Sequence, residues 1–360
     1  MTSEGVIEIE NVTKKFGDVI ALDNVSLTIR DGEFFTLLGP SGAGKSTLLH
    51  MIGGFVEATS GQIRINGEDV TSKSPQERPV STVFQEYALF PHMSVADNVR
   101  YGLDVKGIDR DEQEEIIGRY LGMLQIEELY DRAPAQLSGG QRQRVALARS
   151  LAVEPEILLL DEPLGPLDEK LRREMQVELK ELQESLATTF IYVTHDQEEA
   201  LTMSDRMCIL HHGELIEVGT PTEIYNLPHK RFTAEFIGAG NLIDGTLQTM
   251  NGEYATMAPA LGSNRITGRN DLDEETLEEG APVSVVIRSN DFETGTANSD
   301  NELTGTVTTA IFKGDVYEYV VELEDGHEVH AAFNDPLDIE EGKPITLTWS
   351  KDNCVVVIGD

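Results

Sequence analysis

The sequence predicts two domains in series: an α/β domain over residues 1–237 and a small all-β, barrel-like domain over 238–360. Three observations predict this. Short apolar runs, FFTLL at 34–38, ILLL at 157–160 and FIYVT at 190–194, read as strands buried on both faces. Segments with helical spacing stand between them, and strands that alternate with helices pair in parallel. After Phe236 the chain turns to short alternating strands set among Gly, Asn, Thr and acidic residues, the pattern of a small barrel.

Each element has its own signal. VIEIENVTKKF (6–16) and ALDNVSLTI (21–29) alternate apolar and polar residues, as half-buried strands do. The run at 34–38 leads into GPSGAGKST (39–47), and LLHMIGGF then begins a helix. Residues 86–150 are richer in helical pattern and read as a helical subdomain. Within them Ile116, Ile117, Tyr120, Leu121 and Leu124 mark one helix face over 110–126. Residues 168–187 read as a long, charged amphipathic helix. In the second domain VSVVIR (283–288) is a strand, and 303–333 reads as hairpin material turning at Asp325–Gly326. PITLTWS and CVVVIG finish the chain, and 263–279 reads as a loop.

Composition narrows the function. There are 64 acidic against 28 basic residues, a net charge of -36 and a pI near 4.4. Phosphate binding along nucleic acid requires the opposite sign, so no nucleic-acid partner is expected. From Gly238 onward there are 24 acidic and 6 basic residues, so each part carries half of the excess. A uniform excess fits a surface adapted to high salt, where repulsion is screened. Cys208 and Cys354 lie far apart, with neither metal-ligand spacing nor a disulfide framework, and read as buried reduced thiols. The acidic N-terminus lacks the apolar core of a signal peptide. No apolar run approaches the roughly 20 residues that span a bilayer, so any membrane role must come through partners.

GPSGAGKST has the pattern of a P-loop: Gly39, Pro40, Ser41, Gly42, Ala43, Gly44, Lys45, Ser46 and Thr47 between a buried strand and a helix. The glycines let backbone N–H groups turn inward around phosphate oxygens, and the helix start adds positive potential. Lys45 is expected on the β- and γ-phosphates and Ser46 on Mg²⁺. The apolar strand ending in Asp161–Glu162 aims two carboxylates at the same place: Asp161 for Mg²⁺, Glu162 to accept a proton from the attacking water.

LSGGQ (137–141), followed by RQRVALARSL, resembles the signature of the ATP-binding cassette (ABC) proteins. The class is then an α/β P-loop NTPase with a helical subdomain, and the second domain resembles the OB- or TOBE-type regulatory barrel of importer ATPases. The resemblance implies that Ser138, Gly139, Gly140 and Gln141 complete the ATP site of an opposite subunit in a homodimer or a pair of such ATPases. It also implies that Phe16 stacks on adenine, Gln85 senses Mg²⁺ and water, Asp168 lies in the loop that crosses to the twin, and His195 contacts the γ-phosphate. The crossing loop reads LGPLD, with Pro166 where a small residue is usual. Cofactors ATP and Mg²⁺, transmembrane permease subunits, an indirect extracytoplasmic solute-binding protein and a peripheral place on the cytoplasmic membrane face follow from the same resemblance. Phrases such as TVFQEYALFPHMSVADNV and EFIGAGNLIDGT are most similar to polyamine importers; iron, thiamine, molybdate or tungstate, and sugar are the other cargoes to test.

Overall fold

A computed structural model describes residues 6–238, 240–260, 265–270, 278–295, 299–324 and 326–358. The chain divides into two compact units, residues 1–221 and 222–360. The division falls before the change of composition at Phe236, because the short helices after Thr222 pack on strands of the second unit.

In the first unit the chain runs β1 (Ile7–Phe16), β2 (Val19–Ile29), β3 (Phe34–Leu38), α1 (Lys45–Ile52), β4 (Ser60–Ile65), β5 (Glu68–Asp69) and β6 (Val80–Val83). It continues through α2 (Val95–Lys106), α3 (Arg110–Met123), α4 (Gly139–Ala152), β7 (Ile157–Asp161), α5 (Glu169–Leu186), β8 (Thr189–Thr194), α6 (Gln197–Met203), β9 (Arg206–His211) and β10 (Glu214–Gly219). One sheet is antiparallel, in the order β2-β1-β4-β5. The other has the order β10-β9-β3-β8-β7-β6, parallel from β9 to β6, with β10 antiparallel at its edge.

The parallel strands explain themselves by alternation. Phe34, Leu158, Leu160, Phe190 and Tyr192 point into a core shared with α2–α5. Their neighbours Phe35, Leu37, Ile157, Leu159, Ile191 and Val193 point into a second core with α1 and the antiparallel sheet. Both faces of the sheet are covered, so its central strands β3, β7 and β8 are mostly apolar. The helical face over 110–126 behaves as its spacing predicts: Ile116, Ile117, Tyr120, Leu121 and Leu124 are all buried.

The second unit holds α7 (Pro221–Asn226, which begins at the division), α8 (Arg231–Phe236), β11 (Gly240–Asn251), β12 (Tyr254–Pro259), β13 (Ile266–Arg269), β14 (Pro282–Arg288) and β15 (Glu293–Thr294). Then come β16 (Asn301–Phe312), β17 (Tyr317–Leu323), β18 (Glu328–Phe333), β19 (Pro344–Trp349) and β20 (Cys354–Ile358). Five strands close a barrel in the order β11-β12-β13-β20-β14, and five more form a sheet in the order β15-β19-β16-β17-β18. Trp349 is fully buried at its core, edge-on to Phe292 at 5.5 Å.

Two details differ from the sequence reading. The segment 303–333 forms two hairpins in a row, because Gly314 (φ 98°) also turns the chain, between β16 and β17. Between β17 and β18 the chain turns at Gly326 (φ 86°); Asp325, the other residue of the expected turn, lies outside the described residues. The expected loop over 263–279 contains strand β13; its residues 263–264 and 271–277 lie outside the described residues. Both cysteines are buried and free, and burial pushes each thiol up to about 12.

Candidate nucleotide site

Four neighbouring parallel strands, β3, β8, β7 and β6, end at one edge of the sheet, and each delivers a residue from its C-terminal tip. Crevices at this edge are where open α/β sheets bind ligands. β3 delivers the glycine loop, β8 leads to His195, β7 ends in Asp161 with Glu162 directly after it, and β6 leads to Gln85.

The loop is shaped by its glycines. Gly42 and Gly44 have φ of 81° and 101°, in the left-handed region that side chains avoid. A Cβ on Gly44 would stand 2.6 Å from the Ala21 carbonyl oxygen, and one on Gly39 2.2 Å from that of Leu210. A Cβ on Gly42 would meet nothing within 4 Å, so this glycine serves conformation rather than close packing. Pro40 accepts the Ala43 N–H at 3.2 Å, closing the turn, while Ser41 stands exposed at its tip.

Lys45 opens α1 and is 4% exposed. Its Nζ donates to the carbonyls of Gly39 at 2.7 Å and Pro40 at 3.0 Å, which folds the side chain back over the loop. Burial pushes its pKa down, and the carboxylates of Glu162 and Asp161 push it up. A cation folded over a glycine loop at a helix start suits a polyanion. Ser46 donates from Oγ to Asp161 Oδ1 at 2.9 Å, and Thr47 follows on the helix.

Glu162 sits at the centre. Its backbone is left-handed (φ 44°), with its N–H on the Val193 carbonyl at 3.1 Å, which aims the side chain along the edge. One carboxylate oxygen accepts from Gln85 Nε2 at 3.2 Å; the other lies 3.3 Å from His195 Nδ1. A carboxylate with one amide and one imidazole beside it is equipped to take a proton from a water. The hydroxyl–carboxylate pair of Ser46 and Asp161 is the hard-oxygen donor set that Mg²⁺ uses with few protein ligands. Among the described residues no three His, Cys, Asp or Glu side chains cluster as a dedicated metal cage.

The remaining expected residues stand elsewhere on this unit. Ser138 caps α4 through a reciprocal capping box: Gln141 N–H to Ser138 Oγ at 3.3 Å, Ser138 N–H to Gln141 Oε1 at 2.9 Å. Gly139 and Gly140 form the first turn. A Cβ on Gly140 would lie 2.9 Å from Leu171 Cδ2, so the helix start packs tightly on α5. Asp168 caps α5, accepting the Leu171 N–H at 3.0 Å. No hydrogen bond joins this signature turn to the P-loop of the same chain among the described residues. Phe16 is half exposed, and Lys14 Nζ lies over its ring, 4.7 Å from the centre.

His50 on α1 was not anticipated. Its Nε2 lies 3.2 Å from Asp161 Oδ2 without hydrogen-bond alignment. A histidine five residues past the P-loop lysine carries no motif signal of its own; only the pairing of α1 with the β7 tip brings it there.

The fold and this strand edge define a P-loop nucleotide-hydrolysing enzyme. Comparison with known proteins narrows the class. The ABC transporter family model matches residues 22–165, and the TOBE domain model matches 272–357. The chain is 46% identical over 356 residues to the spermidine/putrescine import ATP-binding protein PotA 2 of Pseudomonas aeruginosa, covering 96% of this chain and 97% of that one. It is 41% identical over 357 residues to the spermidine/putrescine import ATP-binding protein PotA of Rubrobacter xylanophilus, covering 98% and 94%. Among solved structures it resembles a dimeric post-hydrolysis ATP-binding cassette bound to ADP and Pi (TM-score 0.54, 35% identity, 60% of this chain, 98% of that one). It also resembles cbiO1 of Clostridium perfringens, part of an ABC transporter complex (TM-score 0.58, 30% identity, 62% and 91%). The chain belongs to the ABC transporter family of ATP-binding proteins, and it is an ATPase.

Proposed function

We propose that this chain drives polyamine import, working as a pair in which each ATP lies between the P-loop of one copy and the Ser138–Gln141 turn of the other. One observation carries the cargo: relatives sharing 41–46% identity over nearly the whole chain are named spermidine/putrescine import ATP-binding proteins. The paired arrangement is supported by the solved cassette that is a dimer with ADP and Pi. It is supported too by a signature turn hydrogen-bonded within itself and not to its own P-loop.

In the proposed cycle Gly39, Ser41, Gly42, Ala43 and Gly44 turn their N–H groups to the phosphates, and Pro40, which has no N–H, shapes the loop. Lys45 neutralises the β- and γ-oxygens, and Thr47 supports the helix start. Phe16 stacks on the base. Ser46, Asp161 and Gln85 would hold Mg²⁺. When bound, Mg²⁺ neutralises charge on the phosphate oxygens. Glu162 takes the proton of the attacking water, while Gln85 and His195 orient its carboxylate and the γ-phosphate. Ser138, Gly139, Gly140 and Gln141 of the twin close over that phosphate, and Asp168 lies at the crossing. ATP thus favours the closed pair, because only that state engages both halves of each site. Among the described residues no helix is long and apolar enough to cross a membrane. In this reading the membrane path belongs to permease subunits, with this chain docked at their cytoplasmic face and the solute-binding protein acting from the far side.

The cargo is tested with the reconstituted transporter and its own solute-binding protein. Spermidine or putrescine is expected to stimulate ATP hydrolysis at least about threefold. Stimulation by iron(III), thiamine, molybdate or a sugar, with no response to polyamines, would contradict the assignment.

A further inference from the structure

Behind Gln85 the backbone does something costly. Tyr87 and Ala88 are both left-handed, with φ of 63° and 46°, and neither is glycine. Two successive residues of this kind persist only when their surroundings hold them. The holder is Arg149. Its guanidinium donates from Nη1 to the Ala88 carbonyl at 2.6 Å and from Nη2 to the Tyr87 carbonyl at 2.8 Å, and it lies 5.7 Å from the Phe90 ring centre. A planar fork meets both carbonyls at once; an ammonium does not.

What this clamp sets is the edge where hydrolysis occurs. Tyr87 N–H donates to the Phe84 carbonyl at 2.8 Å, closing the turn that carries Gln85, whose amide reaches Glu162 at 3.2 Å. The Tyr87 ring is buried, and its hydroxyl donates to the Pro163 carbonyl at 3.3 Å, directly after Glu162. Arg149 itself stands in the last turn of α4, the helix whose first turn is Ser138–Gln141. One rigid helix therefore begins at the signature turn and ends on the backbone that orients Gln85 and Glu162.

We propose that Arg149 is a positioning residue for hydrolysis, which clamps the Tyr87–Ala88 backbone and so ties the placement of Gln85 and Glu162 to the helix carrying the signature turn. The inference rests on the hydrolytic roles proposed above for Gln85 and Glu162. A shift of α4 on engagement of its first turn would be felt at Glu162 without any contact between Arg149 and nucleotide.

The test uses the full chain in its assembled transporter, with kcat, KM for MgATP and the unfolding midpoint measured for each variant. Arg149→Lys is expected to lower kcat about tenfold and leave KM within about twofold, because the phosphate cradle is untouched. Adding Ala88→Gly, which relieves the left-handed strain, is expected to recover most of that loss relative to Ala88→Gly alone. A purely structural role for Arg149 in packing α4 would not be mended by a glycine on another segment. Tyr87→Phe deletes only the hydroxyl link and is expected to lower kcat about threefold at constant KM, so the proposal stays testable if Arg149→Lys folds poorly. Wild-type kcat in both Arg149→Lys and Tyr87→Phe would overturn it, as would a loss in Arg149→Lys that Ala88→Gly does not reduce. Failure of Glu162→Gln to slow hydrolysis would instead overturn the underlying reading of Glu162.

Discussion

Gly44 occupies a place where a β-carbon collides with two atoms, Ala21 O at 2.6 Å and Leu22 Cδ2 at 2.8 Å, on a backbone at φ 101°. Gly44→Ala must move the loop or strain it, at a cost of about 3 kcal/mol. Its unfolding midpoint is expected to fall and its ATP affinity to drop; a wild-type midpoint would contradict the loop geometry. Lys45→Ala keeps the loop yet removes the cation that folds back over it. It is expected to lose most ATP binding in equilibrium titration, with an unfolding midpoint close to that of the parent; unchanged affinity would remove Lys45 from its role. These positions were legible in the sequence because phosphate chemistry demands particular residue types at fixed spacing along one stretch of chain. His50 and Arg149 were not. Their partners, Asp161 and the Tyr87–Ala88 backbone, are more than sixty residues away or joined by strand order alone, and a histidine on a helix or an arginine in RQRVALARSL has many ordinary explanations.

Among the elements, α4 holds the clearest test. Its capping box satisfies two backbone donors at the helix start, and Ser138→Ala removes one of them for about 1 kcal/mol. If the turn serves the twin's nucleotide, Ser138→Ala is expected to lower turnover at least tenfold while monomeric ATP affinity stays unchanged. Parallel loss of ATP binding in the monomer would place Ser138 in its own chain's site instead. The parallel strands were legible because burial on both faces favours apolar side chains, which make up most of the fully buried β3, β7 and β8, with Thr36, Thr189, Thr194 and the terminal Asp161 as the exceptions. The barrel was legible in class and less so in detail. Gly314 turns the chain between β16 and β17 through a short KGDV stretch, a weaker signal than an Asp-Gly dipeptide. β13 is a four-residue strand set in a run otherwise polar enough to read as loop.

For the whole molecule, charge is the distinguishing property. With a net charge of -36 spread over both parts, the folded chain repels itself in dilute buffer. Raising ionic strength from about 0.1 M to 1 M shortens the screening length from about 10 Å to about 3 Å, below most distances between surface charges. The unfolding midpoint is therefore expected to climb steadily as KCl is raised into the molar range, with catalytic activity following. A midpoint highest in low-salt buffer would remove the high-salt reading of this surface. The division after Pro221 was less legible than the composition change at Phe236, because α7 and α8 look in sequence like a continuation of the first domain while Ala234 packs with Val286, Val355 and Val357 of the second.

The central claim, that two copies share each nucleotide, is tested most directly with Glu162→Gln. This variant keeps the P-loop and the signature turn and removes the proton acceptor. In high KCl with MgATP its mass by light scattering is predicted to double and to return to the monomer value when nucleotide is removed. A hydrolysis-blocked, ATP-loaded chain that remains a monomer under those conditions would contradict the account.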